Sequence, residues 1–375
     1  MNKSRKLSFV PVLLLALALG ACSGQAPGEK PPSAPAPVSP AAPSAPPGPP
    51  AAVKAIKIGL SMDTLKEERW QRDRDVFVDR ARELGAEVLV QSANGNDTLQ
   101  NAQAENLLTQ GVNVMVVIPH NLKTTASIVE MAHKAGVKVI AYDRIIRDCD
   151  LDLYISFDNY RVGELQAEEL VKRAPKGNYA LIGGAPTDNN ALMLREGQLA
   201  VLKPYLDRGD IKIVADQWAK DWAVVEALKH MENALTKNHN DVQAVVVSND
   251  GTAGGAIQAL AGQNLAGKVA VSGQDADLSA CQRIAEGTQT MTVYKPIDRI
   301  ARTAAEVAVK LVRGEPIDAL ISKKINNGQK DVPAILLEPI SVTKANLYQA
   351  IVKNGFHKVE EVYKNVPREQ WPGPN

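Results

Sequence analysis

From Ala55 onward the chain alternates short apolar runs with amphipathic stretches of ten or more residues, a rhythm that few folds accommodate. The spacing predicts strands over 56–61, 87–91, 112–118 and 137–142, separated by helices over 67–84, 97–110 and 124–135. The first helix carries Val76, Phe77, Ala81 and Leu84 on one side. The rhythm pauses over 153–159 and then resumes. Strands follow over 179–182, 211–214, 244–247 and 269–271, with a further strand over 288–294 and a long amphipathic helix over 300–312. Strands alternating with helices imply βαβ units, parallel sheets and right-handed crossovers. Each half holds four or five strands, enough for its own sheet, whereas one ten-stranded sheet sits at the size limit for open sheets. The expected fold is therefore α/β: two Rossmann-like lobes, each a parallel sheet flanked by helices, facing each other across a cleft.

Three of the apolar runs stop on a polar pair: VIAYDR at Asp143-Arg144, VVVSND at Asn249-Asp250 and VSGQD at Gln274-Asp275. Buried parallel strands read as near-continuous apolar runs, and their carboxyl ends are where open α/β sheets bind ligands. Asp and Asn are also the preferred N-caps of the helices that follow, so capping competes with a site at each pair. Arg144 cannot cap an N-terminus, and three pairs together favour a site. The loops at the same rim carry Glu67-Glu68-Arg69-Trp70, Asp188-Asn189-Asn190, Trp222 and Lys295-Pro296, and three of the four tryptophans, Trp70, Trp218 and Trp222, lie there. Flat aromatics match the C–H face of a sugar ring, and Asp, Asn and Arg match its hydroxyl edge. Taken singly, each Trp reads equally as a half-buried packing residue. Arg69, Arg144 and Lys295 against Asp143 and Asp275 come close to charge balance, which suits a neutral, hydroxyl-rich ligand.

Before Ala55 the chain is of a different kind. Lys3, Arg5 and Lys6 precede an apolar run from Phe9 to Ala21, the pattern of a secretory signal over 1–21 that is too short to span a bilayer. Leu19-Gly20-Ala21-Cys22 resembles the lipobox of bacterial lipoproteins, which implies cleavage before Cys22 and acylation of its sulfur, a tether to a membrane outside the cytoplasm. Residues 23–50 contain 11 prolines in 28 positions. Such a linker samples extended polyproline II and reaches up to ~85 Å at ~3.1 Å per residue, either to hold the head off the lipid or to cross a cell wall. Removing 1–21 takes three cations and no acids, so the formal charge moves from +1 to −2. That balance leaves no electrostatic footprint for nucleic acid. Cys149 and Cys281 could pair in an oxidising compartment, but two cysteines do not make a disulfide framework, and the default reading is two inert thiols.

Catalytic signatures are sparse. His120, His133, His230, His239 and His357 have no metal-ligand spacing, and of these only His120 ends a strand. No nucleophile elbow, P-loop or dinucleotide fingerprint follows a strand. Asp143 and Asp275 have the residue types of a glycosidase acid/base pair, but carboxylates flanked by cations stay ionised, which spoils a general acid. Neither an enzyme nor a cofactor is expected. A sugar-responsive transcription factor shares the two-lobed body, but it would need a basic helix-turn-helix where this chain carries an export signal.

The strings ERWQRDRDVFV, QSANGN, VIAYDR, LYISFDN, GELQAEELV, APTDNNA, SNDGTAGGAIQAL, VSGQDADL and GTQTMTVYKPI resemble the D-xylose-binding members of the ribose/galactose-type (type I) periplasmic binding proteins of bacterial ABC importers. The resemblance covers roughly 55–358. It implies a monomer of two lobes joined by three hinge strands and closing on one monosaccharide, D-xylose, for delivery to an ABC permease. Another monosaccharide, or a role as a sugar sensor for a membrane receptor, would use the same pocket. Carried over by position, the family's ligand contacts fall on Arg69, Trp70, Asp143, Arg144, Asn190, Trp222, Asn249, Asp275 and Lys295. The implied organisation is a signal peptide over 1–21, a lipid-anchored linker over 22–53, a first lobe from 54–160 plus about 296–327, a second from 161–295 plus about 328–365, and a flexible tail over 366–375.

Overall fold

The computed structural model describes residues 55–372, together with Gly28. The expected signal peptide, the expected lipidation site at Cys22 and, apart from Gly28, the proline-rich linker lie outside the described residues. The chain runs β1 (Ile56–Met62), α1 (Glu68–Glu83), β2 (Ala86–Ser92), α2 (Asp97–Thr109), β3 (Val114–Val117), α3 (Ala126–Lys134), β4 (Lys138–Tyr142) and β5 (Leu153–Phe157). It continues through α4 (Asn159–Arg173), β6 (Gly177–Gly183), α5 (Asn189–Asp207), β7 (Ile211–Trp218), α6 (Val224–Lys237), β8 (Ala244–Val247), α7 (Asp250–Gly262), β9 (Ala270–Val271) and α8 (Leu278–Glu286). Last come β10 (Met291–Tyr294), α9 (Ile297–Arg313), β11 (Lys323–Asn326), β12 (Asp331–Leu337), β13 (Ile340–Thr343) and α10 (Val359–Val362).

The first sheet has the order β11-β12-β5-β4-β3-β1-β2, parallel except for the β11–β12 hairpin. The second has the order β7-β6-β8-β9 and is parallel throughout. Beside it, β10 and β13 form a short antiparallel ribbon. In each sheet the first strand of the lobe, β1 or β6, sits between its second and third strands, so the strand order reverses there and opens a crevice at the carboxyl ends. Apolar side chains fill both faces of each sheet. In the first lobe α1 and α9 cover one face and α2 and α3 the other. In the second lobe α4 and α5 cover one face and α6 and α7 the other.

Three expectations need correction. The pause over 153–159 contains β5, a fully buried strand whose LYISF run has neighbours on both sides and so shows no alternation. The assignment of 328–365 to the second lobe fails at its start: β12 pairs in parallel with β5, Ala334 opposite Tyr154 and Leu337 opposite Phe157. The first sheet therefore has seven strands, and the last passage between lobes falls between Leu337 and Ile340. The tail is not free of structure, because Trp371 packs on Tyr363 at 6.1 Å, donates from Nε1 to the Val366 carbonyl at 2.8 Å and lies under the Arg368 guanidinium at 3.9 Å.

Candidate functional site

All nine residues singled out from the sequence line one cleft of about 330 Å³, joined there by Glu67, Asp188 and Gln274. Arg69 and Trp70 stand in the first turn of α1 rather than in the loop before it. Asp143 and Arg144 follow β4, and Asp143 holds a left-handed backbone at φ 62°, which turns the chain sharply out of the sheet. Asp188 and Asn190 open α5, Trp222 closes the turn after β7, Asn249 caps α7, Gln274 and Asp275 follow β9, and Lys295 follows β10. Every one of these positions is at a strand carboxyl end or the helix start beyond it.

Arg69 is the hub. Its Nε donates to Asp73 at 3.1 Å, Nη2 to Asp143 at 3.0 Å and Nη1 to Asp275 at 3.2 Å, so one guanidinium joins both lobes. The Tyr142 hydroxyl donates to the other oxygen of Asp73, which fixes that carboxylate from behind. Lys295 adds a second bridge, 3.4 Å from Asp143 and 3.9 Å from Asp275. Asn190 Nδ2 donates to the Asp143 carbonyl and to its Oδ1, both at 3.0 Å. Burial alone would raise the Asp143 carboxyl, but the charges of Arg69, Lys295 and Arg144 outweigh it and hold Asp143 down to about 2. An acid so held cannot serve as a proton donor near neutrality.

Arg144 is gripped from two sides, with Nη1 2.6 Å from Asp63 and Nε 2.8 Å from Asp188. Trp222 Nε1 donates to the same Asp188 at 3.2 Å. The indole packs on Gly184, where any Cβ would overlap its ring, so glycine is required at that close approach. His120 stands behind this group with Nδ1 2.8 Å from Asp63, so it touches the site only through that carboxylate. The competition between capping and lining resolves as both at Asn249: its Oδ1 accepts from the Thr252 N–H at 3.0 Å, which leaves Nδ2 for the cleft. Trp218 lies under Arg195 and does not line the cleft.

Three lining residues, Glu67, Asp188 and Gln274, stood among the rim residues read from the sequence but outside the nine assigned as contacts. Asp188 is an N-cap and its short Asp-Asn-Asn signal is absorbed by that role. Glu67 and Gln274 adjoin chosen residues, and only the fold shows which neighbour turns inward. The lining set carries three cations, Arg69, Arg144 and Lys295, against four acids, Glu67, Asp143, Asp188 and Asp275. With one acid in excess it offers no surplus cation for a phosphate or carboxylate ligand.

Two α/β lobes with facing crevices and a shared, hydrogen-bonding cleft define a protein built to enclose a small polar molecule. Residues 58–316 match the periplasmic binding protein domain, and the chain belongs to that family. It is 57% identical to the D-xylose-binding periplasmic protein of Escherichia coli (strain K12), over 82% of this chain and 93% of that one. The D-xylose-binding periplasmic protein of Haemophilus influenzae is 55% identical over 83% of this chain and 93% of its own length. Among solved structures, a carbohydrate transporter solute binding protein from Chloroflexus aurantiacus in complex with D-glucose superposes with a TM-score of 0.76. It is 30% identical, and the match covers 82% of this chain and 98% of that one.

Proposed function

We propose that this chain is a non-catalytic, extracytoplasmic receptor that binds D-xylose between its lobes and delivers it to an ABC importer. One observation carries the reading. Charged and amide side chains from both lobes meet in one small cleft, and each cation there is already paired with a carboxylate. Such a site has no unbalanced charge for an ionic ligand and many aligned donors and acceptors for hydroxyls. Arg69, Trp70, Asp143, Arg144, Asn190, Trp222, Asn249, Asp275 and Lys295 are the proposed sugar contacts. The relatives at 57% and 55% identity, both D-xylose-binding proteins, support this sugar over other monosaccharides.

Calorimetry of residues 51–375 against a panel of pentoses and hexoses tests the assignment. D-xylose should bind with Kd of about 1 μM or tighter, roughly −8 kcal/mol. Tight binding of a different sugar with none of D-xylose would remove the substrate while leaving the receptor. The anchor is proposed from the lipobox: the protein works as a monomer tethered through Cys22, and Cys22→Ser should move it from the membrane to the soluble fraction. Unchanged fractionation of that variant would rule the tether out.

A further inference from the structure

We infer that Gln274 contacts the sugar and sets specificity, its side-chain carbonyl being committed to one ligand hydroxyl. The inference rests on the proposed monosaccharide site and extends it to a residue that the polar-pair pattern marked but the family resemblance did not assign a contact. Gln274 is 5% exposed and lines the cleft, and its Oε1 has no hydrogen-bond partner among the described residues. Buried amide oxygens are almost always paired, because an unpaired one has given up water for nothing. Among the lining residues Glu67 Oε2 is likewise unpaired, but the other polar neighbours are engaged. Asn249 Oδ1 is engaged by Thr252, Asp143 by Arg69 and Asn190, and Asp188 by Arg144 and Trp222.

The orphan oxygen does not come from a loosely held loop. The Gln274 carbonyl accepts from the Asp250 N–H at 3.0 Å, and the Val293 N–H donates to the Gly273 carbonyl at 3.1 Å. Asp250 itself is fixed by Gln289 Nε2 and Thr292 Oγ1, each at 2.8 Å, and a Cβ on Gly273 would overlap its carboxylate. Asp275 and Ala276 then take positive φ, 96° and 53°, which ends the strand abruptly and leaves the Gln274-Asp275 pair at the cleft. A pinned backbone with a buried acceptor suits a rigid, hydroxyl-bearing ligand. A carbonyl accepts only from a donor, so it rejects a ligand lacking the matching hydroxyl much as hydrogen-bonding enzyme sites do. A neutral amide also avoids placing one more negative charge beside Asp275.

The test is a cycle between side chain and hydroxyl, run on the full chain. Wild type and Gln274→Met, which keeps length but removes the acceptor, are titrated with D-xylose and with its single-deoxy analogues. Thermal unfolding of both proteins is recorded without sugar. Gln274→Met should weaken D-xylose by about tenfold or more, and the loss should vanish for one deoxy analogue alone. The sugar-free midpoint should hold or rise, since methionine removes an unpaired buried group. Equal affinity of the two proteins for D-xylose overturns the assignment. So does the same loss against every analogue, or a lowered sugar-free midpoint, because each marks a residue that supports the fold instead. A wild type that binds no monosaccharide overturns the proposed function, and the Gln274 contact falls with it. A wild type that binds while the variant matches it overturns Gln274 alone.

Discussion

At the scale of single residues, two buried carboxylates outside the cleft lining aim the ones within it. Asp73 takes Arg69 Nε on one oxygen and the Tyr142 hydroxyl on the other, which directs the remaining guanidinium nitrogens at Asp143 and Asp275. Asp73→Asn keeps the shape but removes a charged partner, so unfolding stability should fall by ~1–3 kcal/mol. D-xylose affinity should fall with it, and urea titration with calorimetry measures both; no change in either would mean that Arg69 is aimed without Asp73. Asp250 fixes the backbone on either side of Asp275, its N–H donating to the Gln274 carbonyl at 3.0 Å and its carboxylate accepting from the Asp277 N–H at 3.1 Å. Burial pushes its carboxyl up, against the pull of Arg283, Thr292 and Gln289, to about 7. A carboxyl raised in the folded state stabilises it fully below the unfolded value near ~3.9, and that stability is lost as pH rises through about 7. Wild type should therefore become more stable between pH 7.5 and 5, and Asp250→Asn should flatten that slope; an unaltered slope in urea melts at the two pH values would exclude Asp250 as its source. These supports were not legible in the sequence. Asp73 is one of several acids along an amphipathic helix, and its partner Tyr142 comes from β4, far along the chain. By contrast Asp143, Asn249 and Asp275 were legible because a strand end announces them locally.

At the scale of elements, the pairing of α4 with α5 depends on two reciprocal glycines. A Cβ on Gly163 would overlap the Leu194 carbonyl, and one on Gly197 the Tyr160 carbonyl, so the helices meet backbone to backbone. Gly163→Ala must push them apart and loosen the cluster of Val162, Leu170, Tyr179, Leu181 and Leu194. Helix propensity favours alanine by ~1 kcal/mol, while overpacking against backbone costs ~1–3 kcal/mol or more. The second effect should win, with chemical denaturation showing a net loss; a stabilised variant would mean that the helices have room to spare. α5 starts with Asn189, so a shift of the helix also moves Asn190, and sugar binding should weaken in parallel. Most elements could be read from apolar periodicity, which is a local signal. The β11–β12 hairpin could not. Pro333 removes a donor from β12, Lys323 and Lys324 mark an exposed edge, and the partner strand β5 lies some 180 residues earlier in the chain. Nothing local states which lobe such a strand joins.

At the scale of the whole molecule, the chain passes between lobes three times, after β5, after β10 and after β12, and such crossings permit hinge closure. Direct contacts between the lobes outside the cleft are few and mostly polar, though the Arg72 guanidinium also stacks on the Phe356 ring at 4.3 Å and donates to the Phe356 carbonyl at 3.0 Å. Lys66 Nζ donates to the Asp221 carbonyl at 2.8 Å, the Leu122 N–H to the Thr187 carbonyl at 2.9 Å, and the Leu278 N–H to Glu68 at 3.3 Å. Such contacts add little net stability in water; inside the cleft the Arg69–Asp275 and Arg144–Asp188 pairs also cross between the lobes, and a ligand drives closure only by binding that state better. Cysteines at Glu105 and Lys229, exposed on α2 and α6, report the distance between lobes by paired spin labels. In residues 51–375, which leave out Cys22, the native thiols Cys149 and Cys281 do not compete, because both are buried and burial pushes Cys149 up to about 12 and Cys281 well up too. Saturating D-xylose should shorten and narrow the distance distribution. Lys66→Ala should widen it in the free protein and speed release by no more than a few-fold, since the ammonium is half exposed and makes a single contact across the lobes. A distribution indifferent to sugar would mean that the lobes are held by something other than the ligand, and would sink closure as the mechanism.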